Sequence, residues 1–159
     1  MNLLIINDHG IHGGGTETRI KLFLDELLKR GVYDEIHILQ RFDSTISAEY
    51  INQPIFFHTV SAFSVYRAYK KTKQLIKKHS IGLVQIHNLL ALQPYLLIAA
   101  KQAGIPVIWW VHDYWLLCAK RSFIDPYNAS KEDLCDKAAK KTCSRCMGLK
   151  TRMKYALWK

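Results

Sequence analysis

The chain has 159 residues, of which 23 are Lys or Arg and 13 are Asp or Glu, so its formal net charge is +10 at pH 7. A chain of this length suits one domain, which buries roughly 70% of the surface that its unfolded form exposes. No apolar stretch approaches the about 18 residues that cross a bilayer, and a basic leader with a secretion-signal core is absent from the sequence. These features exclude a membrane-spanning class and predict a cytoplasmic protein.

Predicted strands and helices alternate along the chain as far as residue 111. In chain order, the strands are expected over 2–7, 35–39, 55–58, 81–86 and 105–111, and the helices over 16–29, 62–79 and 94–103. The first helix has apolar residues at helical spacing on one face and charged residues on the other. Gly31 follows it and is well placed to end it in a left-handed conformation. The last strand is an uninterrupted apolar run, which is typical of a strand buried on both faces.

This alternation is typical of a mostly parallel sheet with helices on both faces and right-handed crossovers. We therefore predict an α/β fold, a Rossmann-like three-layer domain that spans residues 1–159. Within it, an irregular basic loop that contains cysteines is expected at about residues 119–148.

The second helix is amphipathic and basic, and its lysines are Lys70, Lys71, Lys73, Lys77 and Lys78. A strong excess of positive charge favours anionic partners such as a membrane surface, nucleic acid or nucleotide phosphates. An anionic membrane surface and ordinary solvation of the helix are both consistent with these lysines.

Three glycines separate the first strand from the first helix: Gly13, Gly14 and Gly15. Glycines at this point let the backbone approach a ligand, and the free amides of a helix start favour an anion such as phosphate. The sequence matches neither the dinucleotide fingerprint nor the phosphate loop of nucleotide hydrolases. A flexible turn is the alternative interpretation.

Polar side chains follow three of the predicted strands. Asp8, His9 and His12 come after the first, the pair His87 and Asn88 after the fourth, and the pair His112 and Asp113 after the fifth. Ligands of open α/β sheets bind in the crevice beyond the carboxyl ends of the strands. His87, Asn88, His112 and Asp113 are therefore candidate site residues, and which of the imidazoles face the crevice is left open by the sequence pattern.

Four cysteines follow the last strand, and they are Cys118, Cys135, Cys143 and Cys146. Four thiolates that include one C-x2-C pair can form a tetrahedral zinc site. Reduced cysteines in a partly packed loop are the alternative, since only the last pair has a tight ligand spacing.

Taken together, these segments resemble the amino-terminal domain of family 4 glycosyltransferases, retaining enzymes with two facing Rossmann-like domains. The matching segments are GGGTE between a strand and a helix, then VQIHN, then GIPVIWWVHDYWLLC with a cysteine-bearing loop behind it. They occur in the family's order and cover essentially the whole chain. The resemblance implies that the chain forms one half of a GT-B fold.

By this resemblance, the Gly-rich loop lies at the interdomain cleft, near the donor diphosphate and the acceptor. The residues that this implicates are Gly13, Gly14, Gly15 and Thr16. His112 matches the histidine that hydrogen-bonds the donor sugar in many members, so the resemblance implies that His112 is catalytic. His87, Asn88 and Asp113 are expected on the substrate-binding side, with Asp113 positioning its loop. The resemblance implies no metal or cofactor for the chemistry, so zinc at the cysteines would be structural.

The family's carboxyl-terminal domain holds most of the nucleotide-sugar site, and no segment of this sequence resembles it. The chain is therefore expected to be an acceptor-side domain, either a truncated product or half of a split enzyme whose partner chain supplies the second domain. It is expected to be inactive alone. The implied reaction moves a sugar from a nucleotide-sugar donor to a glycan or lipid-linked acceptor with retention, at the inner membrane surface if the acceptor is lipid-linked.

The alternative function is a nonenzymatic basic module that uses a four-cysteine zinc site to bind nucleic acid. Its support is the net charge of +10 and an aromatic tail that contains Tyr155 and Trp158. This alternative leaves the Gly-rich loop and His112 unexplained.

Overall fold

The computed structural model describes residues 1–11, 13–41, 50–60, 65–87 and 95–112. Its contacts group the chain into two compact units, Met1–Trp110 and Val111–Lys159. The fold described below is that of the first unit, and the described residues of the second unit are Val111 and His112. The division of the chain into domains stays a prediction.

The first unit alternates strands and helices in the predicted order. The elements are β1 (Asn2–Ile6), α1 (Gly15–Arg30), β2 (Ile36–Gln40), β3 (Ile55–Thr59), α2 (Val65–Lys78), β4 (Ile81–Ile86), α3 (Tyr95–Gln102) and β5 (Val107–Trp109). All strand pairs are parallel, and the strand order is β3-β2-β1-β4-β5. This arrangement confirms the predicted Rossmann-like α/β fold.

The strand order contains one switch point, between β1 and β4. From β1 the chain steps outward to β2 and β3, and it then returns along α2 to place β4 on the other side of β1. Leu3 of β1 lies beside Ile36 of β2 and beside Leu83 of β4. Loops that leave β1 and β4 therefore diverge at one edge of the sheet, which is where open α/β sheets bind ligands.

The two faces of the sheet carry separate cores, because successive side chains of a strand point to opposite faces. Leu3 and Ile5 pack with Ile20 and Leu24 of α1. The intervening β1 residues pack with the buried face of α2 and with α3 on the other side of the sheet. Helices therefore cover both faces, as the three-layer prediction requires.

The carboxyl-terminal end of α1 follows from its sequence. Gly31 adopts a left-handed φ of 58°, and its N–H donates to the Leu28 carbonyl at 3.1 Å, which confirms its predicted role as the helix terminator. Among the helices that the structure describes, none is long and apolar enough to cross a membrane.

The strand β5 differs from its prediction. The apolar run at 105–111 predicted a buried strand, whereas β5 has three residues and lies at one end of the strand order. Ile108 is 43% exposed and Val111 is 62% exposed. The difference arises because a long apolar run does not reveal whether a strand lies in the centre or at the end of a sheet.

Candidate functional site

The candidate site lies at the carboxyl ends of β1 and β4, on either side of the switch point. Asn7 and Asp8 follow β1 directly and are fully buried, and His87 follows β4 with 5% exposure. The backbone N–H of His87 donates to the Ile6 carbonyl at 2.9 Å, so the two strand ends are joined at this edge.

A buried hydrogen-bond network holds the Gly-rich loop after β1. The Asn7 amide donates through Nδ2 to the Gly10 carbonyl at 2.8 Å and to Glu17 Oε1 at 2.9 Å. The other carboxylate oxygen of Glu17 accepts the backbone N–H of Gly14 at 2.9 Å. Glu17 lies in the first turn of α1 and is 5% exposed. The loop is therefore fixed at its start by Asn7 and at its end by Glu17.

The network explains one of the three glycines. Gly13 has a φ of +147°, and a Cβ added there would lie 3.2 Å from Glu17 Oε2. At Gly15, an added Cβ would meet nothing within 4 Å. The fold therefore requires glycine at position 13, while Gly15 leaves open space at the start of α1.

The Glu17 carboxylate sets the electrostatics of the loop. A helix N-terminus attracts negative charge because its amide N–H groups point outward, and a carboxylate there is stabilised by the helix dipole. In this chain the negative charge at the start of α1 comes from the protein itself, since the Glu17 carboxylate already accepts the Gly14 amide. A hydroxyl group can approach the remaining amides without the repulsion that a second anion would meet.

An aromatic side chain lies at the same edge of the sheet. Trp110 follows β5, and its backbone N–H donates to the Ile86 carbonyl at 2.8 Å. Its indole is parallel to the His87 ring, with an interplanar angle of 4° and centroids 6.1 Å apart. It also contacts Phe23 of α1, with ring centroids 6.4 Å apart. Trp110 is 40% exposed, so part of this aromatic side chain is accessible at the same edge of the sheet.

The structure brings part of the predicted site together. The Gly-rich loop, half-buried Thr16 and buried His87 belong to the carboxyl edge of the first unit. Asp8 is buried there and His9 is exposed. His112 follows β5 in the chain, belongs to the second unit and is half-buried. His12, Asn88, Asp113, Cys118, Cys135, Cys143 and Cys146 lie outside the described residues, so the predictions made for them stay predictions.

Three residues of this edge were not predicted from the sequence, namely Asn7, Glu17 and Trp110. Glu17 stands three positions after Gly14, which is the spacing at which an acidic side chain reaches back to the start of its helix. That spacing signals Glu17 from sequence alone. Trp110 lies within an apolar run, so its pattern resembles that of a core residue.

A second polar cluster lies on the face of the sheet that α2 covers, and it too was missed. Its members are His37 of β2, His58 of β3 and His79, which follows α2. Burial lowers the pKa of His58 to about 4, and the nearby charges of His37 and Lys71 act in the same direction. Burial also lowers the pKa of His37, against the opposing hydrogen bond to Glu35. Three histidines on separate elements have no spacing that a sequence pattern would reveal.

Comparison with known proteins gives one family. The family model described as Glycosyltransferase Family 4 matches residues 13–148. The comparison with curated protein sequences found no match. Among solved structures, the C-terminal domain of a hydrogenase from Pyrococcus furiosus is similar with a TM-score of 0.46 and 13% sequence identity, over 69% of this chain and 90% of that chain. A structural likeness at this level says nothing about function.

Proposed function

Because the chain belongs to glycosyltransferase family 4, we propose that it takes part in moving a sugar from a nucleotide-sugar donor to a glycan or lipid-linked acceptor, with retention of configuration. Membership of this family implies binding of a sugar donor and an acceptor in general. The observation that supports the proposal is the switch point of the sheet, where the Gly-rich loop and His87 follow the carboxyl ends of adjacent strands.

In this proposal, the chain contributes to the reaction by positioning the donor and the acceptor. Holding donor and acceptor in one orientation replaces a bimolecular encounter with an effectively unimolecular step. We assign His112 to orienting the donor sugar and Asp113 to positioning its loop, on the strength of the family resemblance. Most contacts with the nucleotide are assigned to a donor-binding domain, on this polypeptide or on a partner chain.

The loop's own chemistry favours hydroxyl groups over phosphate at the start of α1. Glu17 is buried and already accepts the Gly14 amide, so a phosphate at the same place would meet a like charge at short range. A sugar hydroxyl both donates and accepts hydrogen bonds, which suits a carboxylate next to free amides. We therefore assign sugar hydroxyls to the space beside Gly15, where the absence of a side chain leaves room.

Trp110 completes the sugar-binding side of the crevice in this proposal. The exposed part of the indole offers an apolar surface against which the C–H groups of a sugar ring pack. Its parallel contact with His87 and its contact with Phe23 fix the orientation of the ring. A rigid aromatic group loses little entropy when a ligand packs on it.

The test is ligand-observed NMR on the chain with a panel of nucleotide sugars and oligosaccharide acceptors. We expect Trp110→Ala to reduce the transfer of magnetisation to sugar protons. Tyr66→Ala is the matched control, because it removes another exposed aromatic ring from the outer side of α2. Binding that Trp110→Ala leaves unchanged, or no binding to any sugar ligand, would contradict the proposal.

Sugar transfer itself is measured by mass spectrometry of the acceptor, with the donor-binding domain present. We expect His112→Ala to slow turnover on the order of 10²-fold, the usual cost of losing one hydrogen bond to the transition state. An unchanged melting temperature shows that the variant has lost a contact with substrate rather than its fold. Full activity of the variant would remove His112 from the mechanism.

We also propose an anionic lipid surface as a partner. Lys70, Lys73, Lys77 and Lys78 are exposed along α2, and a surface groove of about 720 Å³ between α2 and Ala103 is lined by three of them. Such a surface suits lipid phosphates, with each basic residue contributing about 1 kcal/mol near an anionic bilayer. The nucleic-acid alternative depends on cysteines and a tail outside the described residues, and family membership favours sugar transfer over it.

A further inference from the structure

The histidine cluster lies away from the switch-point crevice and is not used by the proposed reaction. His37 is fully buried on β2, His58 is half-buried on β3, and His79 is 21% exposed in the turn between α2 and β4. Their rings are packed together, since the His37 centroid lies 5.2 Å from that of His58 and 4.1 Å from that of His79. One ring nitrogen from each can be chosen so that all three lie within 4.8 Å of one another.

Hydrogen bonds fix the tautomer of the central imidazole. His37 Nε2 lies 3.0 Å from Glu35 Oε2, and because a carboxylate accepts, His37 donates from that nitrogen. The lone pair of His37 is then on Nδ1, which lies 2.9 Å from His58 Nε2. A histidine that donates one ring nitrogen to a carboxylate, and so directs the other towards a neighbouring ligand, has the usual arrangement of a metal-binding histidine.

The cluster is held in place by Asn2, at the start of β1. The Asn2 amide donates to Glu35 Oε2 at 3.2 Å and to the His79 carbonyl at 2.7 Å. Its own side-chain oxygen accepts the backbone N–H of Glu35 at 3.2 Å. These bonds join the segment before β2 to the turn before β4, so two of the three imidazoles are positioned before any ligand arrives.

We propose that His37, His58 and His79 bind a divalent transition-metal ion, with zinc as the best fit. Three imidazoles suit zinc, nickel and copper, whereas magnesium and calcium need oxygen ligands. Tetrahedral zinc with Zn–N bonds of about 2.0–2.1 Å places neighbouring ligand nitrogens about 3.3 Å apart, so small side-chain rotations suffice. In the metal-bound form, His58 takes its other tautomer, so that its Nε2 presents a lone pair to the ion. Glu35 remains bonded to His37 Nε2, and a water molecule is the fourth ligand.

Positive charges near the cluster give a further test of the proposal. Lys71 and Lys78 act electrostatically on His58 as positive charges. Like charge opposes a dication, so removing one of these lysines should tighten zinc binding, whereas a merely structural histidine cluster would give no such response. Lys78 is exposed, which makes Lys78→Gln a mild substitution for this purpose.

Cobalt(II) is the probe that separates this site from the four cysteines. We expect the metal-free, reduced chain to bind Co²⁺ with the visible bands of tetrahedral nitrogen coordination, and these bands should disappear in His58→Gln and in His79→Gln. Thiolate ligands would add an intense near-ultraviolet charge-transfer band. His9→Gln, an exposed histidine outside the cluster, is the matched control and should leave the bands unchanged.

Zinc affinities are then measured by competition with a chelator. Glu35→Gln should weaken binding by about 10–100-fold, the usual cost of losing a carboxylate that supports a ligand histidine, and Lys78→Gln should strengthen it. Circular dichroism shows that each variant is folded, and His79→Gln, in the turn between α2 and β4, serves if His58→Gln does not fold. No binding to the unmodified chain, or binding that both histidine variants retain, would overturn the proposal.

Discussion

The two ends of β1 carry the same side chain in the same role, with different consequences. Asn7, after the strand, donates to Glu17 and to the Gly10 carbonyl. Asn2, at its start, donates to Glu35 and to the His79 carbonyl. The first network closes within one loop, whereas the second joins segments that are far apart in the chain. The local network shapes one loop, and the distant one joins whole elements of the fold.

Removing each asparagine in turn is the most direct test of this comparison. Asn7→Ala leaves a buried carboxylate without its side-chain donor, and hydrogen bonds to charged groups contribute about 1.5–3 kcal/mol. We expect it to lower the free energy of unfolding by about 3 kcal/mol. Asn2→Ala should cost about 1 kcal/mol, because Glu35 is partly exposed and water replaces the donor. Urea unfolding of both variants measures the difference, and equal losses would refute it.

The glycines of the loop give a second test at the carboxyl edge. Gly13→Ala forces a side chain onto a positive φ and towards Glu17, so we expect a loss of about 2 kcal/mol in stability. Gly15→Ala places a methyl group in open space at the first residue of α1, where alanine favours the helix more than glycine does. We expect it to raise the free energy of unfolding by up to about 1 kcal/mol. If the space beside Gly15 receives a sugar, this more stable variant should bind sugar ligands more weakly. Tighter or unchanged binding would assign the ligand elsewhere.

The histidine cluster predicts a pH dependence at the other edge. The folded-state pKa of His58 is about 4, below its ordinary value of 6.5, so the unfolded chain takes up a proton that the folded chain resists. This contribution to stability is complete above about pH 6.5 and falls as the pH decreases towards 4. Urea midpoints of the metal-free protein between pH 7.5 and 4.5 measure it. The slope should be shallower in His58→Gln, and an equal slope in both proteins would contradict the assignment.

The smallest expected effect concerns the lysines of α2. Each of Lys73, Lys77 and Lys78 should contribute about 1 kcal/mol to the binding of anionic vesicles, and substitution by Gln should remove it. Co-sedimentation at increasing salt measures this contribution. Lys101→Gln on α3 is the matched control for an exposed lysine outside α2. Equal binding to neutral and anionic vesicles would leave α2 without a role at membranes.

Most of the fold was predictable, because local patterns determine its elements. The apolar stripe of α1 placed the helix to within one residue at each end, and the run of β4 gave its exact bounds. Strand ends predicted which loop residues lie at the carboxyl edge of the sheet, because those residues directly follow their strands. Their role in binding a ligand stays a prediction. The exposure of β5 was not predictable, since it depends on the strand order rather than on the apolar run itself.

The histidine cluster could not be predicted from any single segment of the sequence. Its geometry depends on the pairing of β2 with β3, which sets Leu39 beside His58, and on the place where α2 ends. Glu17 differs, because its spacing from Gly14 was visible in the sequence. Glu17 was thus missed although a local signal existed, whereas the three histidines escaped prediction because their partners are set by the tertiary fold.

The bonds of Asn2 also bear on how the chain folds. Asn7 and Glu17 are 10 positions apart, so their contact closes a short loop, whereas Asn2 reaches the His79 carbonyl across 77 positions. Contacts between distant residues form only after the entropy of a long loop has been lost, and this slows their formation. We expect the loop of the crevice to form early in refolding and the bond between Asn2 and His79 to close only once β4 has docked beside β1.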